Sequence, residues 1–481
     1  MSITRNYLYN VIYQIVTLIL PLITVPYISR VLGADGIGIN AYTNSIIQYF
    51  ILIATIGISL YGNRAIAYVR DNKVELSKTF WGIFILKLIT TSVALIVFAI
   101  FLYFTKEFYL IFLIQSIYIF AAAIDISWLY MGLEDFKKIV IRNLIVRIIG
   151  VVSIFIFVTD SSDLWKYVFI LAFTQLLGHL TLWSYLPKTV IKITLKWIDI
   201  KKHFIPSINL FIPQIAIQIY LVLNKIMLGS LANTTEVGYF DNSDKIVRMF
   251  LYVVTAMGVV MLPRIANTFA KGEMTKVKNY LYQSFDFASY LSFPLMFGLA
   301  GIATEFTPWF FGPGFSKTGT LIMIISPIIV FIAWSNVLGQ QYLMPVGKVR
   351  GYTVSVCMGA AVNFVLNILL IKNFLSIGTA IATIIAEFMV TVVQLYWIRY
   401  DIQIKQLFQS IWKYFLSGLI MFFVIRIIGN TLGVGINTTI VQILVGITNY
   451  FTLLAIFKSE MNKRLVLTGW SKIKKIWFSI R

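Results

Sequence analysis

Long apolar runs recur along almost the whole chain, and they constrain its fold more than any other feature. A run of about 20 apolar residues crosses the roughly 30 Å hydrocarbon core of a bilayer as an α-helix. Of the 481 residues, 59% are hydrophobic and only 12% are charged, whereas charged residues make up about 25% of a soluble domain. The sequence therefore predicts an all-α integral membrane protein. We predict 14 transmembrane helices, at residues 7–30, 37–61, 80–105, 108–132, 140–158, 164–187, 205–231, 237–262, 282–311, 318–344, 350–371, 376–400, 410–430 and 437–458.

The positions of lysine and arginine orient these spans. With the N-terminus inside, 29 of the 40 Lys and Arg residues fall in cytoplasmic segments, and the outer loops hold only Lys106, Lys166, Lys317 and Lys372. Positive charge is enriched on the cytoplasmic side of membrane proteins. We therefore predict that both termini are cytoplasmic. The basic tail, residues 459–481, either lies on the inner surface as an amphipathic helix or extends into solvent.

Two stretches that lie 200 residues apart share the same order of residue types. SRVLGADGIGINAYTNSII at 29–47 and NKIMLGSLANTTEVGYFDNSDKIV at 224–247 each contain a basic residue, a glycine turn and a polar helix start, and Gly38 aligns with Gly238. A repeat of six helices gives both copies the same orientation, with a substrate site between the lobes near the bilayer midplane. The predicted division is an N-lobe at 1–204 (helices 1–6), a C-lobe at 205–400 (helices 7–12), helices 13–14 at 401–458 and the tail at 459–481.

Charged residues inside the predicted spans indicate a cavity or a charged partner, because a charge at the bilayer centre costs about 2.5–3.5 kcal/mol. Helix 8 places Asp241, Asp244, Lys245 and Arg248 on one face as two i,i+4 pairs. We expect this stripe to face a wet cavity that favours a phosphate-bearing substrate; two internal ion pairs without a ligand are the alternative. Trp334, near mid-span, would stack on a sugar ring, with simple packing as the alternative. The predicted substrate-binding residues are Arg30, Lys225, Asp241, Asp244, Lys245, Arg248 and Trp334.

Several other charges lie within predicted spans. Asp125, His179 and Glu387 are candidates for ion coupling, although each could equally be satisfied by a neighbouring side chain. Lys87 lies one or two turns from the inner face, so we expect its ammonium group to snorkel toward water. Arg426 in span 13 is a further charge that needs a cavity or a partner.

The sequence does not indicate soluble catalytic chemistry. It contains no G-x-x-x-x-G-K-[ST] loop for binding nucleotide phosphates. With two histidines and one cysteine, Cys357, it predicts neither a His/Cys metal site nor a cofactor nor an intrachain disulfide. No extramembrane domain is large enough for an active site, so we do not predict an enzyme. The net charge of +21 is explained by the cytoplasmic segments and their attraction to anionic lipids, and no nucleic-acid partner is predicted.

A few longer motifs match a known family. They are PYISRVLGADGIGINAY at 26–42, DISWLYMGLEDFKKIVIRN at 125–143, LNKIMLGSLANTTEVGYFDNSDKIV at 223–247, FFGPGF at 310–315 and GQQYLMPVGKVRGYTVSVCMGAAVNFVLN at 339–367. On these residues the chain resembles the polysaccharide biosynthesis flippases, the Wzx-like proteins of the MOP superfamily, over roughly residues 5–460.

The resemblance implies 14 helices, in two six-helix lobes plus a C-terminal pair, and alternating access. It implies movement of a polyprenyl-diphosphate-linked oligosaccharide from the inner to the outer leaflet for capsule, exopolysaccharide or O-antigen assembly. It also implies a location in the bacterial cytoplasmic membrane, and contact with membrane lipids and with assembly proteins such as the polysaccharide polymerase. Related sequences often carry Asp where this chain has Asn224, so Lys225 has no sequence-adjacent acid here.

Two other classes of function stay open on the sequence. A MATE-like cation-coupled drug antiporter would share the fold, but it would favour acidic cavity residues, and span 1 has none between Tyr7 and Arg30. A membrane glycosyltransferase or polymerase would need a sizeable loop with paired acids, whereas the loops of this chain are short and basic.

Overall fold

The computed structural model describes residues 3–463, in which helices are joined by short turns. No strand is present in that range, so the predicted all-α class is confirmed. Three segments have 3₁₀ or π geometry, at Ser161–Asp163, Pro313–Phe315 and Asn336–Leu343. The α-helices are α1 (Ile3–Thr55), α2 (Ile58–Val69), α3 (Lys73–Phe104), α4 (Tyr109–Ile124), α5 (Ser127–Gly132), α6 (Phe136–Phe157), α7 (Leu164–Trp183), α8 (Leu186–Thr189), α9 (Trp197–Lys201), α10 (Phe204–Leu231), α11 (Thr234–Ala270), α12 (Met274–Phe310), α13 (Ser316–Ile325), α14 (Ile328–Ser335), α15 (Val349–Ile398), α16 (Ile404–Phe408), α17 (Ile411–Leu432) and α18 (Ile436–Ile456).

Two of the long helices contain a sharp break. Gly33 interrupts α1 with a φ of 68°, and Leu375 interrupts α15 with a φ of 53°. Glycine adopts positive φ readily, whereas leucine does so at a steric cost. Each break falls between two predicted spans, so α1 carries predicted spans 1 and 2, and α15 carries predicted spans 11 and 12.

Some predicted helix boundaries are wrong. Span 2 was expected to run to residue 61, but the helix ends at Thr55, because Ile56 and Gly57 adopt positive φ values of 29° and 73° before α2 begins. Span 9 was expected to begin at residue 282, but α12 begins two turns earlier, at Met274. Its additional turns carry polar and basic residues, which the hydropathy pattern assigned to a loop.

Predicted span 10, at 318–344, is a bent pair of helices. The segments Pro313–Ile325 and Ile328–Leu343 differ in direction by 44°. Pro327 lies at the break, and its missing N–H removes an intrahelical hydrogen bond. In the described part of the chain, ten helices are long and apolar enough to cross a membrane, or eleven if this pair is one span. The count of 14 spans stays a prediction.

The chain forms two compact units, Met1–Gly238 and Tyr239–Arg481. The first unit has an aromatic core in which Phe80 stacks on Trp128 with ring centroids 5.4 Å apart. Helix α10, which the repeat assigns to the C-lobe, packs against α1 within this first unit. The division into two six-helix lobes stays a prediction.

Small residues bring the helices of the second unit close together. A Cβ atom on Gly359 would lie 2.3 Å from Val390 Cγ2, and one on Gly351 would lie 2.8 Å from the Trp397 ring. Close approach at small residues is how helices pack in lipid, where apolar surface alone gives little preference for protein over lipid.

Candidate functional site

Two ion pairs form the charged stripe on α11. Lys245 Nζ lies 2.5 Å from Asp241 Oδ2, and Arg248 Nε donates to both carboxylate oxygens of Asp244 at 2.8 Å. The acids are buried, at 2% and 6% exposed, whereas Lys245 is exposed and Arg248 is half-buried. Each base follows its acid by one helical turn, the favourable order for such a pair. The stripe therefore buries its acids and presents its cations.

Contacts on the neighbouring face fix the rotation of α11. Ser243 is fully buried, and its Oγ donates to the carbonyl oxygens of Tyr239, at 2.7 Å, and Thr318, at 3.2 Å. The second bond reaches α13. Because this bond sets which side of α11 packs against its own unit, it also sets the direction of the charged stripe.

The other two predicted basic cavity residues lie in the first unit. Arg30 is exposed on α1, three residues before the break at Gly33, and Lys225 is half-buried on α10 beside buried Asn224. Both side chains are at least partly accessible, which contact with a substrate requires. Their binding role stays a prediction.

Gly38 and Gly238 cross at backbone contact distance. A Cβ atom on Gly38 would lie 1.7 Å from the carbonyl oxygen of Thr234, and one on Gly238 would lie 1.9 Å from that of Ala34. The contact is reciprocal and follows the 200-residue offset of the predicted repeat. The Thr234 hydroxyl also donates to Asp35 Oδ1 at 2.5 Å. No side chain fits at this crossing, so both positions require glycine; we name it the glycine crossing.

Asp125 lies at the break between α4 and α5 and contacts polar groups from other parts of the first unit. Its Oδ1 lies 3.0 Å from His179 Nδ1 on α7 and accepts hydrogen bonds from the backbone N–H (3.0 Å) and hydroxyl (2.5 Å) of Ser127. Arg142 Nη1 on α6 lies 3.4 Å from the same His179 nitrogen. Two of the three residues predicted for ion coupling therefore contact each other.

The prediction that Lys87 snorkels is wrong. Its side chain is 1% exposed, and Nζ donates to the backbone carbonyl oxygen of Asp125 at 2.6 Å. The helix break leaves that carbonyl available as an acceptor, because no residue of a continuous helix follows to use it. The ammonium group thus finds a partner inside the core.

Trp334 lies within an aromatic cluster of the second unit. Its ring stacks on Phe285 with centroids 5.4 Å apart, meets Phe408 edge-on at 5.5 Å, and donates from Nε1 to Ser289 Oγ at 2.9 Å. The side chain is half-buried. These contacts are those of a packed residue, and its stacking on a sugar stays a prediction. Glu387, the third candidate for ion coupling, is buried on α15, and its role also stays a prediction.

Sequence reasoning missed Glu305, which is the partner of Arg426. Arg426 Nη1 on α17 donates to both carboxylate oxygens of Glu305 on α12, at 2.9 and 3.0 Å, and Gln442 Nε2 on α18 lies 3.4 Å from the same carboxylate. A Cβ atom on Gly429 would lie 2.7 Å from that carboxylate. Span 9 contains two acids, Asp286 and Glu305, and span 13 contains two bases, Lys413 and Arg426, so the sequence alone did not indicate this pairing. This buried cluster joins three helices.

The described side chains offer no metal site. Among them, no group of three or more His, Cys, Asp or Glu residues is placed to hold a metal ion.

Long apolar helices with charged pairs inside them define a helical membrane protein of the class that includes the secondary transporters. Comparison with known proteins narrows this class. The chain belongs to the polysaccharide biosynthesis protein family, whose model matches residues 3–269. It is 25% identical over 408 residues to a putative O-antigen transporter of Escherichia coli K12, a match that covers 83% of this chain and 97% of the relative. It is also 22% identical over 230 residues to a probable low-salt glycan biosynthesis flippase of Haloferax volcanii. This match covers 47% of this chain and 48% of the relative.

Solved structures share the fold. The lipid II flippase MurJ in an inward closed conformation matches with a TM-score of 0.76 and 16% identity, over 95% of this chain and 99% of that one. An inward-facing MATE multidrug transporter of the MOP superfamily matches with a TM-score of 0.61 and 12% identity, over 80% and 98%. Identities this low show the fold and not the substrate.

Proposed function

We propose that this protein is a flippase that moves a polyprenyl-diphosphate-linked oligosaccharide from the inner to the outer leaflet for polysaccharide assembly. It acts by alternating access and catalyses no covalent reaction. Family membership and the relatives named as flippases and transporters support this proposal. The structural observation that carries it is the stripe on α11, where two cations pair with buried acids within a helix that is long and apolar enough to cross a membrane.

The stripe suits a diphosphate. A guanidinium group can donate two hydrogen bonds to phosphate oxygens, while a lysine supplies a point charge. We infer that Arg248 and Lys245 recognise the diphosphate, that Arg30 and Lys225 add positive charge, and that Asp241 and Asp244 hold the cations in place. The polyprenyl chain can stay in the bilayer, so only the head group needs a polar path.

The glycine crossing supplies a closure for one face of the cavity. It joins the turn between predicted spans 1 and 2 to that between spans 7 and 8, which the lysine and arginine distribution assigns to the outer side. In alternating access, two lobes rock about a central site, and this crossing is then closed when the cavity opens inward and separates when it opens outward.

His179 is a candidate for ion coupling in the transport cycle. Its Nδ1 lies within reach of both Asp125 and Arg142, at 3.0 and 3.4 Å. A ring nitrogen that carries a proton can donate to Asp125, and one without a proton can accept from Arg142, but it cannot do both. We infer that Asp125 and His179, together with Glu387 in the second unit, couple ion movement to transport.

The proposed location is the bacterial cytoplasmic membrane with both termini inside, and assembly proteins such as the polymerase are proposed partners. Single cysteines in a Cys357→Ser background test the orientation. A membrane-impermeant maleimide added outside should label Ser161→Cys and Val434→Cys but not Lys196→Cys or Met274→Cys. Outside labelling at position 196 would overturn the orientation.

The decisive experiment for the substrate site separates a binding role from a structural ion pair. Arg248→Ala should sharply reduce glycan display at the cell surface, and Arg248→Lys should restore it only in part, because lysine lacks the guanidinium fork. Removing one member of a buried pair leaves an unpaired charge, whereas removing both leaves none. The double variant Asp244→Asn, Arg248→Gln should therefore remain folded but fail to export glycan.

The matched control is the other buried pair, changed in the double variant Glu305→Gln, Arg426→Met. It removes the same two charges from a cluster that joins helices, and we expect it to keep export at equal protein level in the membrane. Normal export by the Asp244→Asn, Arg248→Gln variant would refute the substrate-binding role. The pair of Asp244 and Arg248 would then have a structural role alone.

A further inference from the structure

The segment between α7 and α10 is the most basic exposed surface of the first unit that the proposed transport function does not use. Residues 188–205, KTVIKITLKWIDIKKHFI, contain the short helix α9 and end in the first turn of α10. We call it the linker segment. Its single acid, Asp199, is buried and pairs with Lys78 at 2.9 Å.

Specific hydrogen bonds hold the linker segment against the beginning of α3. The N–H of Ile191 donates to Ser77 Oγ, and the indole Nε1 of Trp81 donates to the Ile191 carbonyl oxygen, both at 3.0 Å. The ion pair between Lys78 and Asp199 is a third contact between the linker segment and α3. The segment therefore has a defined position on its unit and is not a loose loop.

His203 anchors the other end of the linker segment. It is 4% exposed, and its Nδ1 lies 2.6 Å from the Tyr61 hydroxyl on α2. A Cβ atom on Gly82 would lie 3.0 Å from His203 Nε2, so the ring packs directly on α3. Burial, with the charge of Lys202 beside it, lowers the pKa of His203 to about 4, so the ring is neutral at neutral pH.

The opposite side of the linker segment combines exposed apolar and basic side chains. Trp197 and Ile198 are each 65% exposed, and Ile205 is 62% exposed. The exposed lysines of the linker segment are Lys188, Lys192, Lys196, Lys201 and Lys202. Large apolar side chains alternating with lysines on one surface are the pattern of segments that lie in the membrane interface.

The place where the linker segment contacts α3 and enters α10 is consistent with a position in the membrane interface. Its ties reach Ser77 to Trp81, within the first turns of α3, and α3 is long and apolar enough to cross the membrane. The segment then enters α10 at Phe204. It therefore lies near the N-terminal ends of α3 and α10, which carry predicted spans 3 and 7, on the side that the basic residues assign to the cytoplasm.

We propose that the linker segment is a binding site for anionic phospholipid headgroups of the inner leaflet. Its lysines contact the headgroup phosphates, and Trp197, Ile198 and Ile205 insert at the boundary with the acyl chains. The ties to α2 and α3 orient this surface toward the bilayer. The proposal concerns the lipid around the protein and does not depend on which substrate is transported.

A fluorescent label on the segment tests the proposal without a transport assay. The full-length chain carrying Ile198→Cys and Cys357→Ser is labelled with the environment-sensitive dye NBD and reconstituted into phosphatidylcholine vesicles with increasing phosphatidylglycerol. We expect the NBD emission to shift to the blue as phosphatidylglycerol is added, and brominated acyl chains to quench it. High salt should reverse the shift in part, since salt screens surface charge.

Charge variants show whether the lysines cause the effect. Each lysine near an anionic surface is expected to raise the ratio of membrane-bound to released linker segment roughly five-fold. Lys192→Gln, Lys196→Gln and Lys201→Gln together should therefore lower this ratio about a hundredfold. The matched control neutralises Lys271, Arg350 and Lys405, three exposed basic residues predicted on the same membrane side, and should leave the NBD response unchanged.

Two results would overturn the proposal. One is an NBD label that stays in water at every phosphatidylglycerol content, as expected if the surface docks a soluble protein or remains bare. The other is an equal loss of response in the control triple variant, which would indicate general charge and no local site. The lipid series with unaltered lysines gives an answer even where the triple variant does not fold.

Discussion

Gly38→Ala is the smallest change that should alter the conformational equilibrium of this protein. The new methyl carbon would lie 1.7 Å from the carbonyl oxygen of Thr234, whereas such atoms do not approach within 3.0 Å. The glycine crossing must therefore separate by about 1.3 Å, the difference between the two distances. Both neighbours at the contact are backbone, so no side-chain rotation relieves the overlap.

The energetic consequence follows from the hydrogen bonds at the glycine crossing. The hydroxyls of Thr234 and Thr235 donate to Asp35 Oδ1 at 2.5 and 3.3 Å. Hydrogen bonds to a charged acceptor contribute about 1.5–3 kcal/mol when buried and less at an exposed position such as this one. If separation weakens them by about 1–2 kcal/mol in total, the ratio of closed to open crossing falls roughly 5- to 30-fold.

The assay is the labelling rate of a cysteine beside the glycine crossing. Val237, next to Gly238, is fully buried while the crossing is closed, and in a Val237→Cys, Cys357→Ser background an impermeant maleimide added outside should react roughly 5- to 30-fold faster when Gly38→Ala is present. Gly150→Ala is the matched control, because its Cβ atom would meet Thr174 Oγ1 at an ordinary 3.5 Å. Wild-type labelling and normal export in Gly38→Ala would refute the role of the glycine crossing as a closure.

Three further predictions concern other parts of the chain. Trp334→Ala should impair glycan export while Trp334→Phe retains much of it if the indole stacks on the oligosaccharide, and equal loss at normal expression would argue against stacking. Arg426→Met should lower stability by about 3 kcal/mol, because it leaves the Glu305 charge buried without its partner, and adding Glu305→Gln should recover most of the loss in a thermal unfolding measurement. The stability contributed by neutral His203 should be present above pH 6.5 and decrease as the pH falls toward its folded pKa of about 4, because the unfolded chain then binds more protons. His203→Gln should reduce this acid-dependent decrease in melting temperature, and an unchanged pH profile would contradict the assignment.

Much of the candidate site could be predicted from residues that are close in sequence. Asp241 with Lys245 and Asp244 with Arg248 are one helical turn apart, and helix geometry brings such residues together in any tertiary context. The predicted repeat also singled out Gly38 and Gly238, although only the structure showed that their backbones touch.

The partners of the isolated charges could not be predicted in this way. Asp125 meets His179 from α7 and Lys87 from α3, and Glu305 meets Arg426 from α17. In a soluble helix, a polar face and an apolar face indicate which side packs inward. A helix in lipid is apolar on nearly every side, because lipid and protein interior are similarly apolar, so the sequence gives little information about which faces meet.

The sequence by itself determined the all-α membrane fold, the charged stripe on α11 and the family resemblance. Each depends on composition or on spacing within a few residues, and the bilayer enforces helices because unpaired backbone groups are costly in lipid. Only the tertiary structure decided the break at Asp125 that binds Lys87, the partner of Arg426 and the crossing of two glycines. These features depend on how helices far apart in sequence pack, and that packing is set by the shape of small residues and by a few buried polar contacts.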